Sequence, residues 1–142
     1  MSATGNQPIQ RRNTRQRALV LAAVQDRCDH PTADAIYEGI HAIDERISRA
    51  TVYRNLNLLA EEGSIRIVKT PHGSRFDLRC DCHAHVQCSL CKCVVDAELP
   101  IGDGLDTAVA ELTGYTITNH EILFEGLCPA CQARIGQKRA IA

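Results

Sequence analysis

The chain has 142 residues, a net charge of −1 and eight cysteines, with 23% charged and 4% aromatic residues. That length allows one domain or two small ones, and the near-zero charge excludes a global basic field drawing the whole chain onto nucleic acid. No apolar run approaches the roughly 20 residues of a membrane span, and the polar N-terminus lacks a signal-peptide core, so the cysteines read as reduced thiols in a cytoplasmic protein.

Charge is uneven along the chain. Residues 1–79 carry twelve Lys/Arg against nine Asp/Glu, and residues 80–142 carry four against eight. Residues 1–12 read as a polar, mobile arm. Thr14 is placed to cap a first helix with Ala18, Leu21, Ala22 and Val24 on its apolar stripe. Asp29-His30-Pro31 breaks it, and Thr32 caps a second helix bearing Ile36, Tyr37, Ile40 and Ile43. Ser48 caps a third helix from Arg49 to Glu62, stopped by Gly63, with Val52, Leu56 and Leu59 toward the core. Strands follow at Ile65–Val68 and Arg75–Leu78 around the turn Pro71-His72-Gly73-Ser74.

Three short helices and a hairpin are the parts of a winged helix-turn-helix, expected over residues 1–79. Its third helix enters the major groove of duplex DNA and its wing lies along the backbone. Arg49 and Arg54 suit phosphates or guanine edges, and Asn57 suits adenine. The same residues also suit an ordinary solvated helix face.

Residues 80–142 read as a small α/β domain. Strands are expected at Val86–Gln87, Val94–Ala97 and Tyr115–Phe124. Helices are expected at Gly104–Leu112, with Leu105, Ala108, Val109 and Leu112 on one face, and at Ala130–Lys138. The whole chain is then of the α+β class, with the long apolar strand as a plausible dimer seam.

Cys88-x-x-Cys91 and Cys128-x-x-Cys131, 36 residues apart, carry the strongest chemistry. Two thiolates two residues apart bite one tetrahedral Zn²⁺, and two such pairs make a closed structural site. Unrelated free thiols are the bland alternative. Cys128-Pro129-Ala130-Cys131 also suits a dithiol–disulfide oxidoreductase, which would leave the other pair and the helix-turn-helix unexplained. A zinc nucleobase deaminase lacks its His-x-Glu.

Arg49-Ala50-Thr51-Val52-Tyr53-Arg54-Asn55-Leu56 resembles the recognition-helix signature of the ferric uptake regulator family. His30-Pro31-Thr32-Ala33-Asp34, His83-Ala84-His85 and the two cysteine pairs follow in that family's order. The resemblance runs from about Asn13 to Arg134. It implies a homodimeric DNA-binding repressor rather than an enzyme, with a winged helix followed by an α/β dimerisation domain. Tyr53 and Arg54 match the family's DNA-contacting positions, and Thr51 lies in the same signature. The four paired cysteines match its structural zinc site.

The peroxide-sensing branch of that family holds a regulatory metal through three histidines and two aspartates. Those positions fall on His30, Asp77, His83, His85 and Asp96. The resemblance implies Fe²⁺ or Mn²⁺ there, an ion clamping the two halves, and oxidation-sensitive His30 and His83. Iron-, manganese- or zinc-uptake regulators of the same family are the alternatives. Cys28, Cys80, Cys82 and Cys93 depart from the pattern. Cys82, adjacent to His83, would soften the site toward Zn²⁺. A third metal site from Cys82, His120 and an acid such as Asp103 is conceivable.

Overall fold

The computed structural model describes residues 7–99 and 104–141. It divides into two compact units between Cys80 and Asp81. Among the described residues no helix is long and apolar enough to cross a membrane.

In the front unit, α1 (Gln7–Gln25), α2 (Ala33–His41) and α3 (Arg49–Glu61) precede the hairpin of β1 (Arg66–Thr70) and β2 (Gly73–Asp77). The expected arm is corrected. Residues 1–6 lie outside the described residues, but 7–12 are helical and α1 runs through Thr14. Gln and Arg are good helix formers, so nothing stops the helix before Thr14. Its buried stripe is Gln16, Val20 and Val24, while Ala18 and Ala22 stay exposed, because the bulkier valines cover more apolar area. The other two caps form as read: Thr32 accepts from the Ala35 N–H at 3.1 Å and Ser48 from the Thr51 N–H at 3.2 Å.

Helix α2 buries Ile36 and Ile40 but ends at His41, which leaves Ile43 81% exposed beyond it. Helix α3 buries Val52, Leu56 and Leu59 as expected. It closes with a Schellman pattern, Ser64 N–H to Leu59 O at 2.9 Å and Gly63 N–H to Ala60 O at 3.1 Å, around Gly63 at φ 75°. The β1–β2 pairing runs from Arg66↔Asp77 to Thr70↔Gly73, a two-residue turn at Pro71-His72 rather than four. Val20, Val24, Ile36, Leu56, Ile65 and Phe76 belong to one buried apolar cluster.

In the back unit, β3 (Ala84–Cys88), β4 (Val94–Ala97), α4 (Gly104–Thr113), β5 (Leu123–Gly126) and α5 (Pro129–Ile141) form a mixed sheet ordered β4-β3-β5 with two helices. β3 pairs antiparallel with β4 and parallel with β5. The strand expected over Tyr115–Phe124 shrinks to Leu123–Gly126. The ladder with β3 covers only His85–Cys88, and residues ahead of it find no strand partner among the described residues. The apolar face of α4 stays open, with Leu105, Val109 and Leu112 at 45, 38 and 85% exposure. What this unit buries is different in kind: His83, His85, Gln87, Cys88 and Cys131 alongside Ala84 and Val94.

Candidate metal centres and recognition helix

The hairpin β3–β4 and the start of α5 build a sulfur cluster. Cys88 ends β3, and the tight turn through Ser89 and Leu90 brings Cys91 back toward it. Lys92 adopts a left-handed φ of 66°. Its N–H bonds to Cys88 O at 2.9 Å, and the Cys88 N–H bonds to Cys93 O at 2.9 Å. Cys128 and Cys131 enter from the first turn of α5. The Cys128 N–H points at Cys88 Sγ at 3.4 Å and the Cys131 N–H at Cys128 Sγ at 3.4 Å. Cys91 and Cys128 Sγ lie 3.8 Å apart. The sulfurs lying within 4.8 Å of one another are Cys88, Cys91, Cys93 and Cys128, with Cys93 rather than the expected Cys131 in that set. Zn–S bonds of about 2.3 Å in a tetrahedron require sulfurs about 3.8 Å apart, so four thiols at this spacing fit Zn²⁺.

Backbone N–H groups of Cys128 and then Cys91 hold the Cys88 thiol down to about 5. The Cys93 N–H lowers Cys91. Arg134 draws Cys131 down, but burial and the thiols of Cys128, Cys88 and Cys91 outweigh it and push Cys131 up to about 11. The Arg134 guanidinium lies 2.8 Å from Cys131 Sγ, a partner that sequence reasoning missed although it stands one helical turn away. Cys128 of the CPxC motif thus converges with the other pair, so the motif does not stand as an isolated dithiol.

The nitrogen and oxygen donors gather within each unit. In the front unit, His30 sits at a left-handed φ of 49°, a conformation costly for a side chain other than glycine. Phe76 N–H bonds to Pro31 O at 3.0 Å and Arg75 to His30 O at 3.3 Å, which ties this segment to β2. His30 Nε2 then lies 3.3 Å from Asp77 Oδ2, both side chains buried, while Asp77 Oδ1 accepts the Arg79 N–H at 2.9 Å.

In the back unit, the β3–β4 register sets His85 opposite Asp96. His83 Nε2 lies 3.1 Å and His85 Nε2 3.5 Å from Asp96 Oδ1. His83 Nδ1 donates to Asp81 O at 2.9 Å, which leaves the Nε2 lone pair facing the carboxylate. A lone pair and a carboxylate oxygen at that range attract only through a proton or a cation between them. Imidazole and carboxylate suit Fe²⁺, Mn²⁺ or Zn²⁺.

A third grouping joins Cys82 Sγ to His120 Nε2 at 3.3 Å and His120 Nδ1 to Asp106 Oδ1 at 2.6 Å. The acid is Asp106, in the first turn of α4, whereas Asp103 lies outside the described residues. Cys28 and Cys80 are exposed, and the Cys80 thiol faces Gly63 O at 3.2 Å.

On α3, Tyr53, Arg54 and Asn57 are exposed opposite the buried Val52, Asn55, Leu56 and Leu59. Thr51 is half-buried, its hydroxyl 2.9 Å from Ser48 Oγ, so it serves the cap. Asp34 of α2 organises the outer face, accepting from Tyr53 OH at 2.9 Å and pairing with Arg49. Arg49 also lies over the Tyr37 ring, 4.5 Å from its centroid. Asp34 was not legible as a positioning residue, since that contact joins two helices.

These features define a class: a winged helix joined to a small α/β unit with a sulfur-built centre and imidazole–carboxylate clusters. The same architecture recurs in the Campylobacter jejuni peroxide stress regulator, 25% identical with a TM-score of 0.73, covering 92% of this chain and 100% of that one. The sequence matches the ferric uptake regulator family over residues 9–125, and the chain belongs to that family. Among its relatives, the peroxide-responsive repressor PerR of Staphylococcus saprophyticus is 35% identical over 85% of this chain and 82% of its own. The peroxide operon regulator of Bacillus subtilis is 32% identical over 87% of this chain and 86% of its own.

Proposed function

We propose that this chain is a homodimeric, metal-dependent transcriptional repressor that senses peroxide. The observation that carries the reading is the buried imidazole–carboxylate pairing in each unit, His30 with Asp77 and His83/His85 with Asp96. The relatives named for peroxide response support the signal. In this reading one ion draws on all five donors and couples the DNA-binding front to the dimerising back. Metal then favours the DNA-competent arrangement by its differential affinity for it.

Cys88, Cys91, Cys128 and Cys131 hold a structural Zn²⁺. Tyr53, Arg54 and Asn57 meet the major groove of an operator, and Arg49 is positioned beside them by Asp34 and Tyr37. A second copy covers the open apolar face of α4. Fe²⁺ held by these donors would supply the electron that cleaves the O–O bond of peroxide, with peroxide as the oxidant overall. His30 and His83 are the imidazoles proposed to gain oxygen, and an imidazole so changed would be a poorer metal donor, weakening metal-dependent DNA binding.

The test is duplex affinity of zinc-loaded protein with Fe²⁺ or Mn²⁺, each with and without brief peroxide, followed by peptide mass analysis. The duplex is one selected from a random pool by the Mn²⁺-loaded chain. Loss of binding only with Fe²⁺ plus peroxide, with added oxygen on His30 or His83, is the expected result. Binding that either metal activates and peroxide leaves alone would make this an iron or manganese regulator. Activation by added Zn²⁺ alone would make it a zinc-uptake regulator.

A further inference from the structure

The sulfur cluster has one thiol too many. Cys88 closes β3 and Cys93 precedes β4, one step beyond the Gln87↔Val94 pair. They therefore stand opposite each other across the hairpin, and opposed residues of an antiparallel pair project to the same face. This face is the one onto which Cys91 and Cys128 converge. The sulfurs of Cys88, Cys91, Cys93 and Cys128 all lie within 4.8 Å of one another, with Cys91 and Cys93 3.3 Å apart. Cys131 is outside that set, but its N–H reaches Cys128 Sγ at 3.4 Å, so a tetrahedral ion, which takes four sulfurs, has two candidates for the fourth place.

The two candidates for the fourth place differ in surroundings. Cys131 is fully buried, and the Arg134 guanidinium on its sulfur can neutralise a thiolate that is off the metal. Cys93 is exposed. We propose that Cys93 is an alternative zinc ligand, so that the ion has two overlapping four-sulfur sets, Cys88, Cys91 and Cys128 completed by Cys131 or by Cys93. The proposal rests on the structural-zinc reading above. It makes the site open on one side: the ion can pass from a buried fourth ligand to a surface one without dropping to three sulfurs.

Cobalt reports the ligand count, because each thiolate adds to the near-ultraviolet sulfur-to-Co²⁺ band. Native chain, Cys131→Ser, Cys93→Ser and the double variant are loaded with Co²⁺, and Zn²⁺ affinity is measured by chelator competition. Each single variant is expected to keep one equivalent of metal, a four-sulfur band and an affinity within about tenfold of native. The double variant is expected to fall to a three-sulfur band and to lose at least another tenfold. A three-sulfur band from Cys131→Ser alone, with affinity equal to the double variant, overturns the proposal but leaves the zinc site standing. No thiolate band in the native chain overturns both.

Because Cys131 is buried and its variant can fail to fold, the native zinc-loaded chain is also alkylated. Cys93 protected relative to the exposed Cys28, and released by chelator, is the expected result. Cys93 labelled as fast as Cys28 overturns the proposal.

Discussion

The two units solve the same problem with different chemistry. The front unit buries Val20, Val24, Ile36, Leu56, Leu59 and Phe76 in one apolar cluster and caps its helices with Thr32 and Ser48. The back unit buries thiols and imidazoles, and leaves Leu105, Val109, Leu112 and Phe124 exposed. A unit of about 60 residues gains little from its own core and often relies on a staple or a partner. One half is therefore held by water leaving apolar surface, and in the proposed reading the other is held by the Zn²⁺ that its thiols bind. In the proposed reading the front half presents α3 to DNA, and the sensing donors come from both halves, His30 and Asp77 from the front and His83, His85 and Asp96 from the back.

The largest effect that sharpens this contrast is removal of a shared sulfur. Cys128→Ser should abolish stable zinc binding, since structural zinc contributes on the order of 10–16 kcal/mol in small domains. The back unit should melt while the helical signal of the front unit persists; loss of both in one transition would break the contrast. Acid should act alike. Cys88 is held from its ordinary 9.0 down to about 5, so its thiolate contribution is present above 9 and is lost as pH falls through about 5. Zinc released into a colorimetric chelator should rise over that window, and a site already empty at pH 7 would contradict the assignment.

Leu56→Ala should cost about 2–5 kcal/mol in denaturant melts of the front unit, with zinc content unchanged. Arg54→Ala should weaken duplex binding by about 1–3 kcal/mol and lower its salt dependence, with stability unchanged. Unaltered affinity would take α3 out of the groove. Ser48→Ala should cost about 1 kcal/mol through the lost α3 cap, read from the same melts.

The contrast also explains what could be read from sequence. Ser48, Thr32 and Gly63 act within a few residues of themselves, so caps and stops were legible, as were Val52, Leu56 and Leu59 on one helix face. Ile43 was misplaced because α2 stops at His41, and the arm because Gln and Arg extend α1 toward the N-terminus. The long strand over Tyr115–Phe124 failed because strand length depends on a partner's reach. Family order supplied His30, Asp77, His83, His85 and Asp96, which no local pattern unites. Cys93 was read only as an extra thiol near the sites, because its place beside Cys88, Cys91 and Cys128 needs the β3–β4 register, although the Cys91-x-Cys93 spacing was in plain view.

The most direct test of the account is amide hydrogen exchange, fragment by fragment, on the full chain with and without a zinc chelator. The account predicts that α1 and α3 stay protected while β3, β4 and β5 lose protection when zinc is withdrawn, and regain it when zinc returns. Back-unit strands that remain protected without zinc, or front helices that open together with them, would contradict it.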